Sequence, residues 1–392
     1  MSKDGLSIRR VLMAADCVGG VWTYALELAR ALCRREIQVI LATMGAPLTA
    51  FQRAEARSIA GLQVFESRFK LEWMEDPWHD VGRAGQWLLQ LEAAFRPDIV
   101  HLNSYVHGAL PWRTPTLVVG HSCVLSWWEA VKGAPAPDTW RRYRHEVSRG
   151  LQGADLVLAP TRAMLTALGR HYGPFTRSHV VPNGREPALF PPGVKEPFIF
   201  AVGRLWDEAK NVALLDQVAP SLAWPVYVAG EGRHPTGEAA HYGAVRSLER
   251  LSLPALAHWM GRAAIYALPA RYEPFGLSVL EAGLAGCALV LGDIPSLREN
   301  WHEAAVFVPP DDATALAAAL QALSRDGARL TDQAARARAR ALQLTPQRML
   351  TGYLTAYHEL VHNRQRLERS RFAWAAPVRS PLVRRHTWKD AG

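Results

Sequence analysis

The chain has 392 residues, more than a single hydrophobic core usually serves, so two domains are expected. A composition of 49% hydrophobic and 21% charged residues excludes a disordered or fibrous protein, and no apolar run approaches the roughly 20 residues of a membrane-spanning helix. The first residues lack the apolar core of a signal peptide, so a cytoplasmic location is expected.

The formal net charge of +9 is concentrated at one end of the chain. Residues 351–392 contain eight Lys or Arg and three Asp or Glu, and they include Phe372, Trp374 and Trp388. Such a tail can make a peripheral contact with an anionic membrane or an acidic acceptor, although a solvated terminus is the commoner role. A nucleic-acid-binding protein is an alternative, but the sequence contains no recognition motif, so no nucleic-acid partner is expected.

The first half alternates short apolar strands with a helix. The pattern predicts a strand in IRRVLMAAD (8–16), a loop in CVGG (17–20), a helix in VWTYALELARALCRR (21–35) and a strand in IQVILAT (37–43). Three further strands are predicted in PDIVHLNS, PTLVVGHSC and ADLVLAPT, each ending in polar residues. This order is typical of a parallel α/β sheet, whose carboxyl strand ends form the ligand crevice.

A second cycle follows a segment rich in Pro, Gly and Asn, VVPNGREPALFPPGVKEP (180–197), which is predicted to be a linker. Strands are predicted in FIFAVG, WPVYVAG, AIYALPA, ALVLGD and AAVFVPP, and helices in VALLDQVAPSLA, PALAHWMGRA, DATALAAALQALSRD and PQRMLTGYLTAYHELVHNRQRLE. Two Rossmann-like halves joined by a hinge therefore fit better than one large sheet. The sequence shows no repeat between the halves.

The stretch RYEPFGLSVLEAGLAG (271–286) carries two carboxylates, Glu273 and Glu281, in otherwise apolar sequence. Because an unpaired buried carboxylate costs several kcal/mol, each must meet a polar partner. A helix that begins near Gly276 would direct the amides of Gly276, Leu277 and Ser278 at one point, which suits a phosphate. A ribose for Glu281 and a sugar for Glu273 are candidate partners. The alternative is a local ion pair of Glu281 with Arg271 or Arg298.

The loops after two other strands of the second half supply further candidates. Arg204 and Lys210 in GRLWDEAKN are cations that could reach the same end of the cleft. Gly230 in AGEG would let the backbone approach a ligand closely, so it is a candidate donor-binding position.

These motifs together resemble glycosyltransferase family 4, whose members are retaining enzymes with the GT-B fold. The resemblance rests on Glu273-x7-Glu281 within YEPFGLSVLEAGLAG and on the upstream GRLWDEAKN, AGEG and VVPNGREPALFPPG. In the first half, GGVWTYALELARAL, DIVHLNS and VVGHSC follow the family's order, so the match extends from about residue 8 to about residue 357.

The resemblance implies an α/β fold with two Rossmann-like parallel-sheet domains that face a central cleft. It places the acceptor-side domain in residues 1–183 and the nucleotide-sugar donor domain in residues 184–352. A C-terminal helix would cross back to the first domain, which residues 353–392 would complete.

Six positions of the second half match donor-binding residues of the family. By this resemblance, the diphosphate would be bound by Arg204, Lys210 and the amides of Gly276 and Leu277, the ribose by Glu281 and the donor sugar by Glu273. In the first half, His121 matches the active-site histidine near the anomeric centre. Gly19 and Gly20 would let the first loop approach the phosphates or the acceptor.

Three aromatic side chains of the first half have weaker assignments. His101 matches a less dependable family position, and a histidine at a strand end is more often held by hydrogen bonds than by a ligand. Trp127 and Trp128 could stack on an acceptor sugar, but packing is the commoner role of such side chains.

The expected reaction is the transfer of a sugar from a UDP-, GDP- or ADP-sugar to a glycan, lipid-linked or small-molecule hydroxyl, with retention of the anomeric configuration. No Asp-x-Asp occurs, and the four cysteines lack metal-site spacing, so neither a metal nor another cofactor is expected. Lys210, Arg204 and the helix terminus would then stabilise the departing diphosphate. Domain closure about a hinge near residues 182–192 is expected.

Two further alternatives within the fold remain. A related glycogen or starch synthase, or a sugar phosphorylase, would share the second-half motif. The absence of Lys before the glycines of the first loop argues against the glycogen synthases, and no Lys suited to a pyridoxal cofactor stands out. The other alternative is a catalytically silent family member that serves as a binding subunit.

Overall fold

The computed structural model describes residues 8–232 and 241–374, with side chains up to residue 366. Phe372, Trp374 and Trp388, and the basic residues from Arg369 onward, lie outside the described side chains. The strands are β1 (Arg10–Asp16), β2 (Gln38–Met44), β3 (Leu62–Glu66), β4 (Ile99–Leu102), β5 (Thr116–Val119), β6 (Leu156–Ala159), β7 (Ser178–Val180), β8 (Glu196–Val202), β9 (Val226–Ala229), β10 (Arg246–Ser247), β11 (Ala263–Leu268), β12 (Ala288–Gly292) and β13 (Val306–Val308). The helices are α1 (Gly20–Cys33), α2 (Ala50–Arg57), α3 (Trp78–Phe95), α4 (Val124–Lys132), α5 (Arg141–Gly153), α6 (Arg162–Tyr172), α7 (Val212–Val218), α8 (Leu253–Arg262), α9 (Leu277–Leu284), α10 (Pro295–Trp301), α11 (Ala313–Arg325), α12 (Gly327–Ala341) and α13 (Pro346–Trp374).

The first half forms a parallel sheet of seven described strands in the order β3-β2-β1-β4-β5-β6-β7. In the register, Val11 of β1 lies between Val39 of β2 and Ile99 of β4. Chain order reverses between β1 and β4, and this reversal creates a crevice at the carboxyl ends of the two strands.

The second half repeats this winding with other residues. Its six described strands are parallel and lie in the order β10-β9-β8-β11-β12-β13, so the reversal falls between β8 and β11. The predicted pair of Rossmann-like halves is confirmed. Their common strand order shows a structural likeness that the sequence does not reveal as a repeat.

Helices cover both faces of each sheet, which explains why the strands are almost wholly apolar. In the first half, α1 and α13 pack on one face, and α3, α5 and α6 pack on the other. In the second half, α8, α9 and α12 pack on one face, and α7 and α11 pack on the other.

The last helix, α13, crosses back to the first half, as predicted. Tyr353 and Tyr357 are buried in the core of the first half. Met349 and Leu350 pack in the same core, so the helix contributes to that half from before the predicted boundary at residue 353. A Cβ atom on Gly352 would lie 2.8 Å from Val181, which shows how closely the helix approaches β7.

Two of the differences from the sequence prediction have a clear physical reason. The helix predicted for residues 212–223 ends at Val218 and continues as a 3-10 turn, Ala219–Ser221, because Pro220 cannot extend an α-helix. Helix α12 was not predicted, since Ala337 and Ala341 are its fully buried side chains and alanines make a weak apolar stripe. Among the helices within 8–232 and 241–374, none has the length and apolar character needed to cross a membrane.

Candidate functional site

The two crevices meet where the loop after β1 contacts the first turn of α9. Gly19 has a φ of +95° and precedes α1. A Cβ atom on Gly20 would lie 3.4 Å from the Leu277 side chain. The structure therefore brings together Gly19, Gly20 and Leu277, which the sequence assigned to opposite walls of one cleft.

The start of α9 is already engaged with Glu273. Gly276 caps the helix with a φ of +87°, and its amide donates to Glu273 Oε1 at 2.9 Å. Of the three amides that the sequence assigned to a phosphate, the structure thus commits that of Gly276 to a carboxylate. A phosphate would have to displace Glu273 to use this amide.

The other oxygen of Glu273 accepts a hydrogen bond from Lys210. Lys210 Nζ lies 2.5 Å from Glu273 Oε2, and the two side chains are 15% and 12% exposed. Lys210 also packs under Gly203, where a Cβ atom would lie 3.0 Å from the lysine Cγ. The two residues predicted to bind diphosphate and sugar therefore form an ion pair with each other.

Arg204 lies at the carboxyl end of β8 and pairs with Asp207 at 2.7 Å. Asp207 is buried and also accepts the indole N–H of Trp127 at 3.1 Å, a contact from the first half. Burial works to raise the pKa of Asp207, but Arg204 and Lys210 outweigh it and hold the pKa below its usual value. Asp207 is therefore ionised and fixes Arg204 in the cleft.

His121 lies beyond β5, with its ring 4.4 Å from that of Tyr24. Its Nε2 is 2.8 Å from Asn103 Oδ1, and Asn103 Nδ2 donates to the Ala14 carbonyl at 2.8 Å. This second bond fixes the orientation of the Asn103 amide, so Nε2 of His121 carries the proton and Nδ1 is an acceptor. Burial lowers the pKa of His121 to about 3, and the ring is neutral near pH 7.

Glu281 is buried and its partner is Arg185 of the linker. Arg185 Nε donates to Glu281 Oε1 at 2.8 Å, and Arg185 Nη1 donates to Glu27 Oε2 of α1 at 2.8 Å. The alternative ion pairs predicted for Glu281 are wrong in their partners, because Arg271 binds Asp311 and Arg298 binds Asp293.

Gly230 has a packing reason in the structure. Its φ is +146°, and a Cβ atom would lie 1.7 Å from the carbonyl oxygen of Gly203. The absence of a side chain at Gly230 thus allows the end of the neighbouring strand to pack against it. A role of Gly230 in donor binding stays a prediction.

His101 and Trp127 are held by other side chains of the protein. His101 is fully buried, with Nε2 3.1 Å from the hydroxyl of Tyr24 and Nδ1 2.7 Å from that of Tyr357. Trp127 and Trp128 pack edge to face at 5.8 Å between ring centroids. These contacts agree with the commoner roles considered for these side chains.

The sequence pattern did not indicate Asp16, the last residue of β1. Its carboxylate accepts the Val18 amide, and Gly45 lies close beside it. Burial raises the pKa of Asp16 to about 7, although the Val18 amide and Arg204 act to lower it, and Glu72 adds to the rise. The sequence feature that could have pointed to Asp16 is an acidic residue at the carboxyl end of the first strand, where ligands bind in such sheets.

A set of loop contacts joins the two halves, in addition to Trp127–Asp207. The Tyr272 hydroxyl accepts the Cys123 amide at 3.1 Å and lies 2.9 Å from Ser126 Oγ. Lys132 and Glu208 pair at 2.7 Å. The remaining contacts join the amides of Arg162 and Ala163 to Glu299, at 2.7 and 3.0 Å, and the Thr161 hydroxyl to the Pro274 carbonyl, at 2.9 Å. Arg204, beside Asp207, and Glu273, beside Tyr272, thus lie next to contacts from the first half.

Within the parts of the chain that the structure describes, no three His, Cys, Asp or Glu side chains are grouped as metal ligands. Both halves contribute polar side chains to the cleft, among them Arg204, Lys210 and Glu273 on the second half and Asp16 and His121 on the first. That the protein works without a metal ion stays a prediction.

The sequence matches the family model for Glycosyltransferase Family 4 over residues 18–189 and that for Glycosyl transferases group 1 over residues 196–326. A glycogen synthase from Mycobacterium tuberculosis strain H37Rv is 30% identical over 307 residues, which cover 69% of this chain and 70% of the relative. A D-inositol 3-phosphate glycosyltransferase from Pseudarthrobacter chlorophenolicus is 25% identical over 384 residues, or 88% and 91% of the two chains.

Solved structures share the fold at low sequence identity. The sucrose-phosphate synthase from Thermosynechococcus elongatus gives a TM-score of 0.71 at 17% identity and covers 93% of this chain and 100% of its own. Alr3699/HepE from Anabaena, solved with UDP and glucose, gives 0.69 at 16% identity over 89% and 99%. This protein belongs to glycosyltransferase family 4 and has the GT-B fold.

Proposed function

We propose that the protein transfers a sugar from a nucleoside diphosphate sugar to an acceptor hydroxyl, with retention of the anomeric configuration and without a metal ion. The observation that carries this proposal has two parts: Lys210 pairs with Glu273 at the start of α9, where Leu277 meets Gly20 of the first half, and Arg204 is close enough to Asp16 of that half to act on its pKa. Two cations and a helix N-terminus complement a diphosphate.

Lys210 and Glu273 are paired with each other at the start of α9, so their charges cancel. A bound diphosphate would offer Lys210 a second anionic partner, and Glu273 would then be available to the donor sugar. Glu273 is a weak candidate for a covalent nucleophile, because both of its oxygens accept hydrogen bonds, from Lys210 and from the Gly276 amide. We assign it to binding and electrostatic stabilisation.

Retention then requires attack on the face from which the leaving group departs. The bond from the acceptor oxygen to the anomeric carbon forms as the bond to the diphosphate oxygen breaks, and the departing phosphate takes the acceptor proton. Arg204 and Lys210 would stabilise the charge that develops on the diphosphate. The Nδ1 atom of neutral His121 would accept a hydrogen bond from a sugar hydroxyl.

The test is thermal unfolding in EDTA with UDP, GDP, ADP, dTDP and their sugar conjugates, with Arg204→Ala as the matched control. A ligand at 100 times its Kd stabilises the native state by about 2.7 kcal/mol, a shift of several degrees. We expect one nucleotide series to shift the wild type and to shift Arg204→Ala less. If no nucleotide shifts the wild type, the transferase proposal is wrong and the silent binding protein replaces it.

The acceptor is a second question for the same protein. A glucan is favoured by the relative named glycogen synthase, whereas a small polyol phosphate is favoured by the relatives named D-inositol 3-phosphate glycosyltransferase. With the donor identified, transfer to an oligoglucan or to inositol 3-phosphate distinguishes the two. The anomeric proton coupling of the product, measured by NMR, tests retention.

A further inference from the structure

Three charged side chains form a buried cluster where the linker meets both halves of the protein. This hinge triad consists of Glu27 on α1, Arg185 in the linker and Glu281 on α9. Arg185 donates Nη1 to Glu27 and Nε to Glu281, both at 2.8 Å. The side chains are 2%, 5% and 8% exposed, so water takes little part in the cluster.

The backbone holds the guanidinium in place. The Arg185 amide donates to the Leu344 carbonyl at 3.1 Å, and the guanidinium carbon lies 5.1 Å from the centroid of the Phe190 ring. The adjacent Gly184 packs so closely on the segment before α13 that a Cβ atom would lie 2.2 Å from the Thr345 carbonyl oxygen. Arg185 is therefore presented to both carboxylates from a fixed position.

The triad contains two carboxylates and one guanidinium, so the single positive charge of Arg185 has to offset the cost of burying two negative charges. Burial raises the pKa of Glu281, Arg185 opposes this rise, and Glu27 adds to it. Burial also acts to lower the pKa of Arg185, but the two carboxylates raise it above its usual value. Without Arg185, two desolvated carboxylates would face each other and one would take a proton.

Few other titratable groups face Glu281 in the described structure. Arg30 of α1 lies 3.8 Å from the far oxygen of Glu27. Tyr266 of β11 lies beneath α9 and bonds Ser278 at 2.8 Å. From α12, the buried residues are Ala337 and Ala341. Arg185 is thus the cation with a direct contact to Glu281 among the described residues.

We propose that Arg185 is a positioning residue for donor binding, which fixes the Glu281 carboxylate as the acceptor for the ribose hydroxyls and ties it to Glu27 of the first half. The inference rests on the proposed function. An ionised carboxylate accepts from two hydroxyls, whereas a protonated one offers a competing donor. Arg185 acts through Glu281 and contacts no substrate itself.

The test measures nucleotide affinity against pH by calorimetry. UDP, GDP and ADP are titrated into the wild type, and the tightest is then titrated into Arg185→Met, Arg185→Lys and Arg185→Met/Glu281→Gln between pH 6 and 8.5. We expect the Kd of Arg185→Met, divided by the wild-type Kd at the same pH, to be tenfold or more at pH 6 and to fall as pH rises. Arg185→Lys should restore most of the affinity.

The double variant separates the positioning role from a packing role. It lacks the Glu281 carboxylate, and the remaining Glu27 has no assigned contact with the nucleotide, so its Kd ratio to the wild type should be raised and independent of pH. A pH-independent ratio for Arg185→Met itself would overturn the inference while leaving the proposed function intact. Failure of all three nucleotides to bind the wild type would overturn both.

A folding defect in Arg185→Met would leave Glu27→Gln as the measurable variant. This variant removes the second carboxylate and leaves Arg185 to serve Glu281. We expect its affinity for the nucleotide to equal or exceed that of the wild type from pH 6 to 8.5. A tenfold loss would overturn the inference.

Discussion

The two halves of the molecule are joined by the hinge triad, which is buried throughout, and by the loop contacts, which combine buried groups such as Asp207 with an exposed ion pair. The hinge triad is desolvated, and each of its ions depends on the others. The loop contacts include Lys132–Glu208, whose side chains are 35% and 56% exposed. When an exposed pair separates, water replaces each partner, whereas a buried ion that loses its partner is left uncompensated. We therefore expect opening of the cleft to begin at the exposed loop contacts and to leave the hinge triad intact.

The largest effect should follow from removing the cation of the hinge triad. Arg185→Met is expected to lower the free energy of unfolding by about 3–5 kcal/mol, because two buried carboxylates lose their partner. Urea denaturation measures this loss. Arg34→Met is the control, since Arg34 is exposed and lies 3.9 Å from Glu186. Equal midpoints for the two variants would contradict the difference between the two sets of contacts.

Asp16 of the cleft and Glu281 of the hinge triad are both buried carboxylates, but they differ in their partners. Arg185 donates a hydrogen bond to Glu281, whereas Asp16 accepts from a backbone amide. The pKa of Asp16 is about 7 in the folded protein, against 3.8 for a free side chain, so folded-state stability is lost as pH rises from about 4 to 7. Asp16→Asn should therefore be more stable than the wild type at pH 8 and similar to it at pH 4. The two pKa values set an upper limit of about 4 kcal/mol.

Thermal unfolding at the two pH values measures the effect of Asp16→Asn. Its control is Asp138→Asn, since Asp138 pairs with Arg141 on an exposed surface. A stability difference between Asp16→Asn and the wild type that did not change with pH would show that Asp16 is ionised throughout, as Glu281 is expected to be.

The loop contacts are expected to affect the reaction more than the stability. Trp127→Phe keeps a ring but removes the N–H that Asp207 accepts, so Asp207 holds Arg204 less firmly. A hydrogen bond to a charged group contributes about 1.5–3 kcal/mol, and we expect kcat/KM to fall about tenfold. Initial rates measure this, with Trp128→Phe as the control on the same helix. Unchanged rates in Trp127→Phe would show that this loop contact has no effect on catalysis.

Much of the fold follows from local pattern. Apolar runs of four to seven residues with polar ends mark the buried parallel strands, and the linker is visible in its prolines and glycines. The helix after Gly276 was predicted from the same kind of evidence. Each of these features depends on residues close together in sequence, which is why the pattern was sufficient.

The partners of the site residues could not be predicted in this way. The burial of Glu281 required a polar partner, but that partner, Arg185, is 96 residues away in a segment assigned only as a linker. The hydroxyl of Tyr272, next to Glu273 in the motif, contacts Ser126, 146 residues away. Such contacts arise only when the two halves pack together, and no spacing in the sequence encodes them.

The smallest effect is expected from the exposed pair of the loop contacts. Lys132→Ala should change the free energy of unfolding by about 0.2–1 kcal/mol, since water and salt screen an exposed ion pair. The Lys132 ammonium also lies 5.9 Å from the centroid of the Trp127 ring.

Unfolding in 0.05 and 1 M NaCl measures the contribution of the Lys132–Glu208 pair to stability. The difference in stability between Lys132→Ala and the wild type should vanish in high salt. The loss of stability in Arg185→Met should persist in 1 M NaCl, because salt in the solvent does little to screen buried ions that are in contact. A Lys132→Ala loss as large as that of Arg185→Met would mean that the loops, rather than the linker, hold the two halves together.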